Sequence, residues 1–131
     1  MNLDSNKKKK RIQIVDDDPD ICVTLREILR DNGFAADSFT DPCLALNHFE
    51  AGLYDLLLLD VKMSEMNGFQ LYHKMKKVDD RAKACFLTAA DVRYGMLSEE
   101  KVLFALDKEL FLQKPIETTK LILEISKLLC F

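Results

Sequence analysis

The chain has 131 residues, 48% of them hydrophobic, which suits one globular domain and is too apolar for a disordered chain. A formal net charge of −3 argues against bulk binding of nucleic acid, so no direct nucleic-acid binding is expected. No apolar run approaches the roughly 20 residues that cross a membrane, and the polar N-terminus lacks a secretory signal, so we expect a cytoplasmic protein without membrane insertion.

The composition divides the chain into two unequal parts. Residues 1–10 are polar and end in four lysines, and we expect a flexible basic tail that at most makes a weak contact with an acidic partner. Residues 11–131 are expected to form one folded domain. Scattered cysteines without a C-x-x-C pair predict reduced, partly buried thiols at Cys22, Cys43, Cys85 and Cys130.

The domain begins with the pattern of a strand, a helix and a second strand. Ile12–Val15 is a short β-branched run. Asp18-Pro19 combines an N-cap residue with a first-turn proline, which predicts a helix start, and Asn32-Gly33 is typical of a left-handed helix stop. Phe34–Phe39 predicts the second strand.

The next segments repeat this alternation. Asp41-Pro42 predicts another helix start, and that short helix is expected to end at Gly52. Leu56–Leu59 shows no polar alternation, which suits a central parallel strand buried on both faces. Because leucine is a poor strand former, a helix is the competing prediction, but the short length and the polar flanks favour a strand.

The second half of the domain continues the same way. A third helix is predicted after Asn67-Gly68, a strand over Ala84–Leu87, a fourth helix from Ser98 and a fifth strand over Leu110–Leu112. Apolar residues at helical spacing predict the fifth helix, at Leu121, Ile125, Leu128 and Leu129.

Strict alternation of strands and helices predicts an α/β fold with a doubly wound, five-stranded parallel sheet. In such sheets, ligands bind at the carboxyl ends of the strands. The polar residues that follow the predicted strands should therefore share one rim of the sheet: Asp16, Asp17, Asp60, Thr88 and Lys114.

Three ionised carboxylates about 4 Å apart on this rim would repel one another by roughly 4 kcal/mol per pair. Such a cluster holds a proton or recruits a cation, and oxygen ligands without a nearby His or Cys favour Mg²⁺. One Mg²⁺ and one lysine would bring the site close to neutral, which suits an incoming phosphoryl group. A carboxylate can attack phosphorus to form an acyl phosphate, and lysine and threonine can bind the phosphoryl oxygens.

Five short segments resemble, in order, the receiver domain of two-component response regulators: Ile14–Asp18, Asp60–Met63, Met66–Gly68, Leu87–Ala89 and Phe111–Ile116. The resemblance covers about residues 11–131. It implies a flavodoxin-like (βα)5 fold with strand order 2-1-3-4-5. It also implies a phosphoryl-accepting signalling switch or relay, served by a sensor histidine kinase or a phosphotransfer protein.

The resemblance implies a phosphoacceptor and a magnesium site. Asp60 would accept the phosphoryl group. Asp17 and Asp60 would ligate Mg²⁺ directly, together with the backbone carbonyl of Lys62, and Asp16 would act partly through water.

The resemblance also implies a switch. Thr88 and Lys114 would contact the phosphoryl oxygens, and Thr88 would work as a switch residue with Phe111. An aromatic residue in a short apolar strand is equally typical of a plain core position, so both interpretations of Phe111 stay open. A downstream protein would bind the face made by the fourth helix, fifth strand and fifth helix. Since the chain ends soon after that helix, we expect a stand-alone receiver.

The sequence departs from the family pattern in three places. Ser64 stands where the family usually has proline, so the loop after Asp60 is less restrained. The stretch from Thr88 to Lys114 is longer than is typical. Lys62 and Ala90 occupy positions that influence phosphate lifetime in this family, and we expect the Lys62 side chain to lean over the site and alter water access.

Two other functions compete with a receiver. A magnesium phosphohydrolase with an aspartate nucleophile would carry Asp-x-Asp followed by Thr or Val after the first strand, and Asp16-Asp17-Asp18-Pro19 does not fit. A binding module independent of phosphorylation would have a degenerate site, whereas the key residues here are intact. We therefore expect a domain that catalyses only its own phosphorylation and dephosphorylation, and no other enzyme activity.

Overall fold

Consecutive leucines form the centre of the sheet. The computed structural model describes residues 9–88 and 110–129, and in it β3 (Leu56–Asp60) is buried along its whole length. It lies between β1 (Arg11–Val15) and β4 (Ala84–Thr88), and β2 (Ala35–Phe39) and β5 (Leu110–Gln113) complete a parallel sheet of order β2-β1-β3-β4-β5. The predicted fold class and strand order are confirmed, and the helical alternative for the leucines is wrong.

The described helices cover both faces of the sheet. They are α1 (Pro19–Asp31), α2 (Pro42–His48), α3 (Gly68–Val78) and α4 (Thr118–Leu128). Apolar residues of α1 and α4 share one core cluster, and those of α2 and α3 share the other. The α4 helix is the fifth predicted helix, because the helix predicted from Ser98 lies outside the described residues.

Local capping explains where these helices begin and end. The Asp18 and Asp41 side chains accept hydrogen bonds from backbone N–H groups two residues later, at 2.9 and 2.8 Å, and thereby cap α1 and α2. Gly33 adopts a φ of +93°, which is the predicted left-handed stop after α1.

The α2 helix ends before the residue predicted from the glycine pattern. It stops at His48, and Phe49 takes an extended conformation that buries its ring against Tyr54, with the centroids 6.3 Å apart. Gly52 instead lies in the following turn with a φ of +80°. Burial of an aromatic ring thus decided this boundary, and the prediction of a helix reaching Gly52 is wrong.

The structure places three of the four cysteines and the last two residues of the predicted tail. Cys22 and Cys85 are buried and free, whereas Cys43 is exposed on the outer face of α2, so the expectation of partial burial is wrong there. Residues 1–8 of the tail and Cys130 lie outside the described residues. Among the helices in residues 9–88 and 110–129, none has the length and apolar character that crossing a membrane requires.

Candidate functional site

Three carboxylates meet at the carboxyl ends of the two central strands. Asp16 and Asp17 follow β1 directly, and Asp60 is the last residue of β3. The strands pair in parallel with Val15 opposite Leu59, so the next residues along each strand lie side by side. One carboxylate oxygen from each acid lies within 4.8 Å of the others. The structure therefore brings together the acids that the sequence placed on one rim.

Lys114 joins this cluster from the end of β5. Its Nζ lies 2.9 Å from Oδ2 of Asp16 and 3.1 Å from Oδ1 of Asp60. Burial lowers the pKa of Lys114, but the hydrogen bonds and attraction to the two carboxylates outweigh burial and leave the pKa raised. The lysine is therefore a protonated bridge between two acids that come from different strands.

Asp16 and Asp17 have different surroundings. Asp16 is fully buried, its Oδ1 accepts a hydrogen bond from the Asp18 backbone N–H at 2.9 Å, and its Oδ2 accepts one from Lys114. Asp17 is exposed to solvent. The carboxylate of Asp17 is thus better placed than that of Asp16 to turn its oxygens towards a cation that arrives from solvent.

Asp60 is a buried acid with a perturbed titration. Burial and the neighbouring Asp16 raise its pKa from 3.8 to about 6, Lys114 opposes this rise, and Asp17 adds to it. Close carboxylates in a buried setting favour uptake of a proton or a cation. Oxygen donors from two strand ends, open to solvent at Asp17, fit the ligand preference of Mg²⁺.

Thr88 has a hydroxyl suited to a ligand. It is the last residue of β4 and is 1% exposed. Its Oγ1 has no hydrogen-bond partner among the described residues. A buried hydroxyl without a partner costs about 1–3 kcal/mol, so an anionic oxygen that reached it would gain a hydrogen bond.

Phe111 belongs to an aromatic cluster. It is half-buried in β5, with its ring centroid 5.5 Å from that of Phe86 and 6.1 Å from that of Phe69. These contacts join β5 to β4 and to the first turn of α3. The packing agrees with a core position, and a switch role for Phe111 stays a prediction.

The loop between β3 and α3 contains Lys62, whose backbone carbonyl is the remaining predicted Mg²⁺ ligand. The side chains of Lys62 and Ser64 are exposed, whereas Met63 is 8% exposed and belongs to the core. The Val61 backbone N–H donates to the carbonyl of Leu87 at 3.0 Å, which anchors the start of the loop without the usual proline. Ala90 lies outside the described residues, so its position relative to the site is a prediction.

Cys22 contacts the acid cluster, which the sequence did not predict. Its Sγ donates to the backbone carbonyl of Asp16 at 3.1 Å, and burial followed by the nearby Asp16 charge raises the pKa of this thiol to about 11. The thiol is therefore a protonated donor that steadies the Asp16 backbone. Its place in the first turn of the helix after Asp16 was the available signal, but the sequence predicted only a reduced, partly buried thiol there.

The parallel sheet of order 2-1-3-4-5, with acids at the ends of β1 and β3 and a lysine at the end of β5, defines a doubly wound α/β domain with a charged site at the carboxyl ends of its strands. Comparison with known families identifies the class. The response regulator receiver domain family matches residues 12–126, and the chain belongs to this family. It is thus a receiver domain of phosphorylation-based signalling.

Individual relatives support this assignment. The sporulation initiation phosphotransferase F of Bacillus subtilis is 32% identical over 100 residues, which cover 74% of this chain and 77% of that protein. The transcriptional regulatory protein RprY of Bacteroides fragilis is 27% identical over 122 residues, or 93% of this chain and 50% of that protein. The chain thus spans about half the length of such transcriptional regulators.

Solved structures show the same fold. A CheY-like receiver domain protein from Methanospirillum hungatei is 28% identical with a TM-score of 0.77, covering 93% of this chain and 94% of that one. The response regulator TrrA from Thermotoga maritima, solved with Mg²⁺ and BeF, is 30% identical with a TM-score of 0.76, covering 91% of this chain and 98% of that one.

Proposed function

We propose that Asp60 accepts a phosphoryl group from a phosphohistidine on a sensor histidine kinase or a phosphotransfer protein. A bond forms between an Asp60 carboxylate oxygen and phosphorus, and the bond between phosphorus and the histidine nitrogen breaks. The observation that carries this proposal is the meeting of three carboxylates within 4.8 Å with a lysine 3.1 Å from Asp60.

Asp60 suits the nucleophilic role better than its neighbours. Both carboxylate oxygens of Asp16 already accept hydrogen bonds, from the Asp18 amide and from Lys114. Asp17 is exposed, so water solvates its carboxylate and screens the charge. Asp60 is 5% exposed, so solvent shields it less than it shields the exposed Asp17.

The same acids are proposed to hold Mg²⁺. Asp17 and Asp60 would bind it directly with the backbone carbonyl of Lys62, and Asp16 would act partly through water. When bound, the ion supplies positive charge that offsets the acids and the phosphoryl oxygens. The donor set of hard oxygen atoms supports this assignment over a softer metal.

Lys114 and Thr88 are proposed to recognise the phosphorylated product. The Lys114 ammonium would exchange its contact with Asp60 for a phosphoryl oxygen, and the buried Thr88 hydroxyl would donate to another. The backbone N–H of Lys114 donates to the Thr88 carbonyl at 2.7 Å, so a shift of Thr88 would reach β5 and Phe111. We propose that this coupling alters the face that contains β5 and the last helix, where a downstream protein binds.

We further propose that residues 11–131 form the receiver domain, with residues 1–10 as a basic tail, in a cytoplasmic protein. The domain would carry one stable acyl phosphate and would not turn over small phosphate esters as an enzyme does. Repeated turnover of such an ester by the purified chain would support a phosphohydrolase instead.

Intact-mass measurement after treatment with acetyl phosphate and Mg²⁺ tests the proposal. We expect one added phosphoryl group per chain, lost in Asp60→Asn and retained in Asp80→Asn, a control at an exposed acid. The label should also vanish when EDTA removes the metal. Labelling of Asp60→Asn to the wild-type extent would contradict the assignment.

A further inference from the structure

The α3 helix begins directly on the peptide of Asp60. Its first residue, Gly68, is buried, and its backbone N–H donates to the carbonyl of Val61 at 2.9 Å. A Cβ built at Gly68 would overlap the backbone carbonyl oxygen of Asp60. It would also lie 3.1 Å from the Asp60 carbonyl carbon and 3.2 Å from the Val61 Cα. Only a residue without a side chain fits this contact.

The requirement for glycine at this position comes from space and not from backbone conformation. Gly68 lies inside a helix, where any residue can adopt the backbone angles. Gly33 and Gly52 are the opposite case, because each has a positive φ and open space around an added Cβ. Among these three glycines, only Gly68 would meet backbone atoms.

Neither side of the contact can move away easily. On the helix side, Asn67 and Gln70 form a reciprocal capping box with bonds of 2.8 and 2.9 Å, and Phe69 packs against Phe86 with centroids 4.9 Å apart. On the strand side, Asp60 pairs with Leu87 of β4 in the sheet. An added methyl group would therefore have to displace one of two anchored elements.

We propose that Gly68 is a positioning residue for phosphoryl transfer, an inference that rests on the proposed role of Asp60. The bare Cα lets the start of α3 set the direction of the Asp60 peptide and close the loop that carries Lys62. The Asp60 carboxylate and the Lys62 carbonyl thereby keep their places relative to Asp17. A side chain at position 68 shifts the acceptor out of line with these groups.

Alanine substitutions at the three glycines test this inference. Gly33→Ala and Gly52→Ala strain the fold at positive φ away from the site, so they are controls for lost stability. We expect Gly68→Ala to slow labelling by acetyl phosphate and to weaken Mg²⁺ binding in calorimetry, each at least about tenfold. The controls should stay within about twofold of wild type when all variants are compared under conditions where they are folded. Wild-type labelling and Mg²⁺ affinity in folded Gly68→Ala would overturn the proposal.

A second pair of variants applies if Gly68→Ala fails to fold. Asn67→Ala and Asp41→Ala each remove one helix cap, at the start of α3 and of α2 respectively. If the start of α3 holds Asp60 in place, Asn67→Ala should slow labelling several-fold more than Asp41→Ala. Equal rates in these two variants would count against the inference.

A readout without metal or phosphate separates this inference from the proposed function. In the metal-free protein, the amide chemical shifts of Asp60, Val61 and Leu87 should change in Gly68→Ala or Asn67→Ala and not in the matched controls. If the wild type were never labelled, the proposed function would fall, while the amide shifts would still decide whether Gly68 positions Asp60. Unchanged shifts would remove the positioning role even in a protein that is phosphorylated.

Discussion

Asp60 should make the metal-free protein less stable than a variant without that charge. The residue is 5% exposed, and burial together with Asp16 raises its pKa from 3.8 to about 6. An acid whose pKa is higher in the folded state than in the unfolded state destabilises the fold wherever it is ionised in both. This cost is complete above about pH 6 and disappears below about pH 4. We therefore expect Asp60→Asn to stabilise the protein at neutral pH.

The size of this gain follows from the pKa. A rise from 3.8 to about 6 corresponds to about 3 kcal/mol, because one pKa unit is worth about 1.36 kcal/mol. The attraction of Lys114 is already contained in this figure, since it lowers the pKa that burial and Asp16 raise. The Asp60 side chain is 7% exposed, so water screens these charges only weakly.

Urea unfolding in EDTA measures the effect. At about pH 7.5 the free energy of unfolding of Asp60→Asn should exceed that of the wild type by about 3 kcal/mol, and the two should converge near about pH 4. Asp17→Asn, at the exposed acid of the same cluster, should gain less. Added Mg²⁺ should stabilise the wild type more than Asp60→Asn. If Asp60→Asn were no more stable than the wild type at neutral pH without metal, the reasoning about this charge cluster would be refuted.

Three further predictions concern other charges. Hydrogen bonds from the backbone N–H groups of Gly52 and Arg81 lower the pKa of Asp79, so its stabilising effect should be complete above about pH 5 and be lost at lower pH. Asp79→Asn should therefore cost about 1 kcal/mol in urea unfolding at neutral pH, and a cost no larger at pH 7 than at pH 3 would contradict this. Lys114→Ala should still bind Mg²⁺ but show smaller amide chemical-shift changes in β5 on phosphorylation. A loss of Mg²⁺ affinity as large as that of Asp17→Ala would argue against separate roles for the lysine and the metal-binding acids. Lys62→Ala should change the lifetime of the phosphoryl group, and equal lifetimes would remove the idea that this side chain controls water access.

Secondary structure could be predicted well where the signal is local. Asp18 with Pro19, and Gly33 after α1, predicted a helix start and a helix stop, because capping hydrogen bonds and left-handed turns involve residues close together in the chain. The end of α2 was missed, because Phe49 leaves the helix to pack against Tyr54. A ring contact across a loop cannot be read from helical spacing.

The sequence by itself also determined which strand ends carry the chemistry. Alternating segments imply a parallel sheet, and a parallel sheet places all strand ends on one rim, so Asp16, Asp17 and Asp60 were predicted to meet. This deduction needs only the order of the elements and the identity of the residues that follow each strand.

Only the tertiary structure decided how these groups touch. Lys114 bridges two carboxylates, one of them 98 residues away in the chain, and the Asp60 pKa depends on burial that exists only once both faces of the sheet are covered. The contact between Gly68 and the Asp60 peptide likewise depends on how closely α3 approaches β3. Contact distances accurate to a few tenths of an ångström, and the removal of water from buried carboxylates, arise from packing between distant parts of the chain. Residue type and spacing do not encode them.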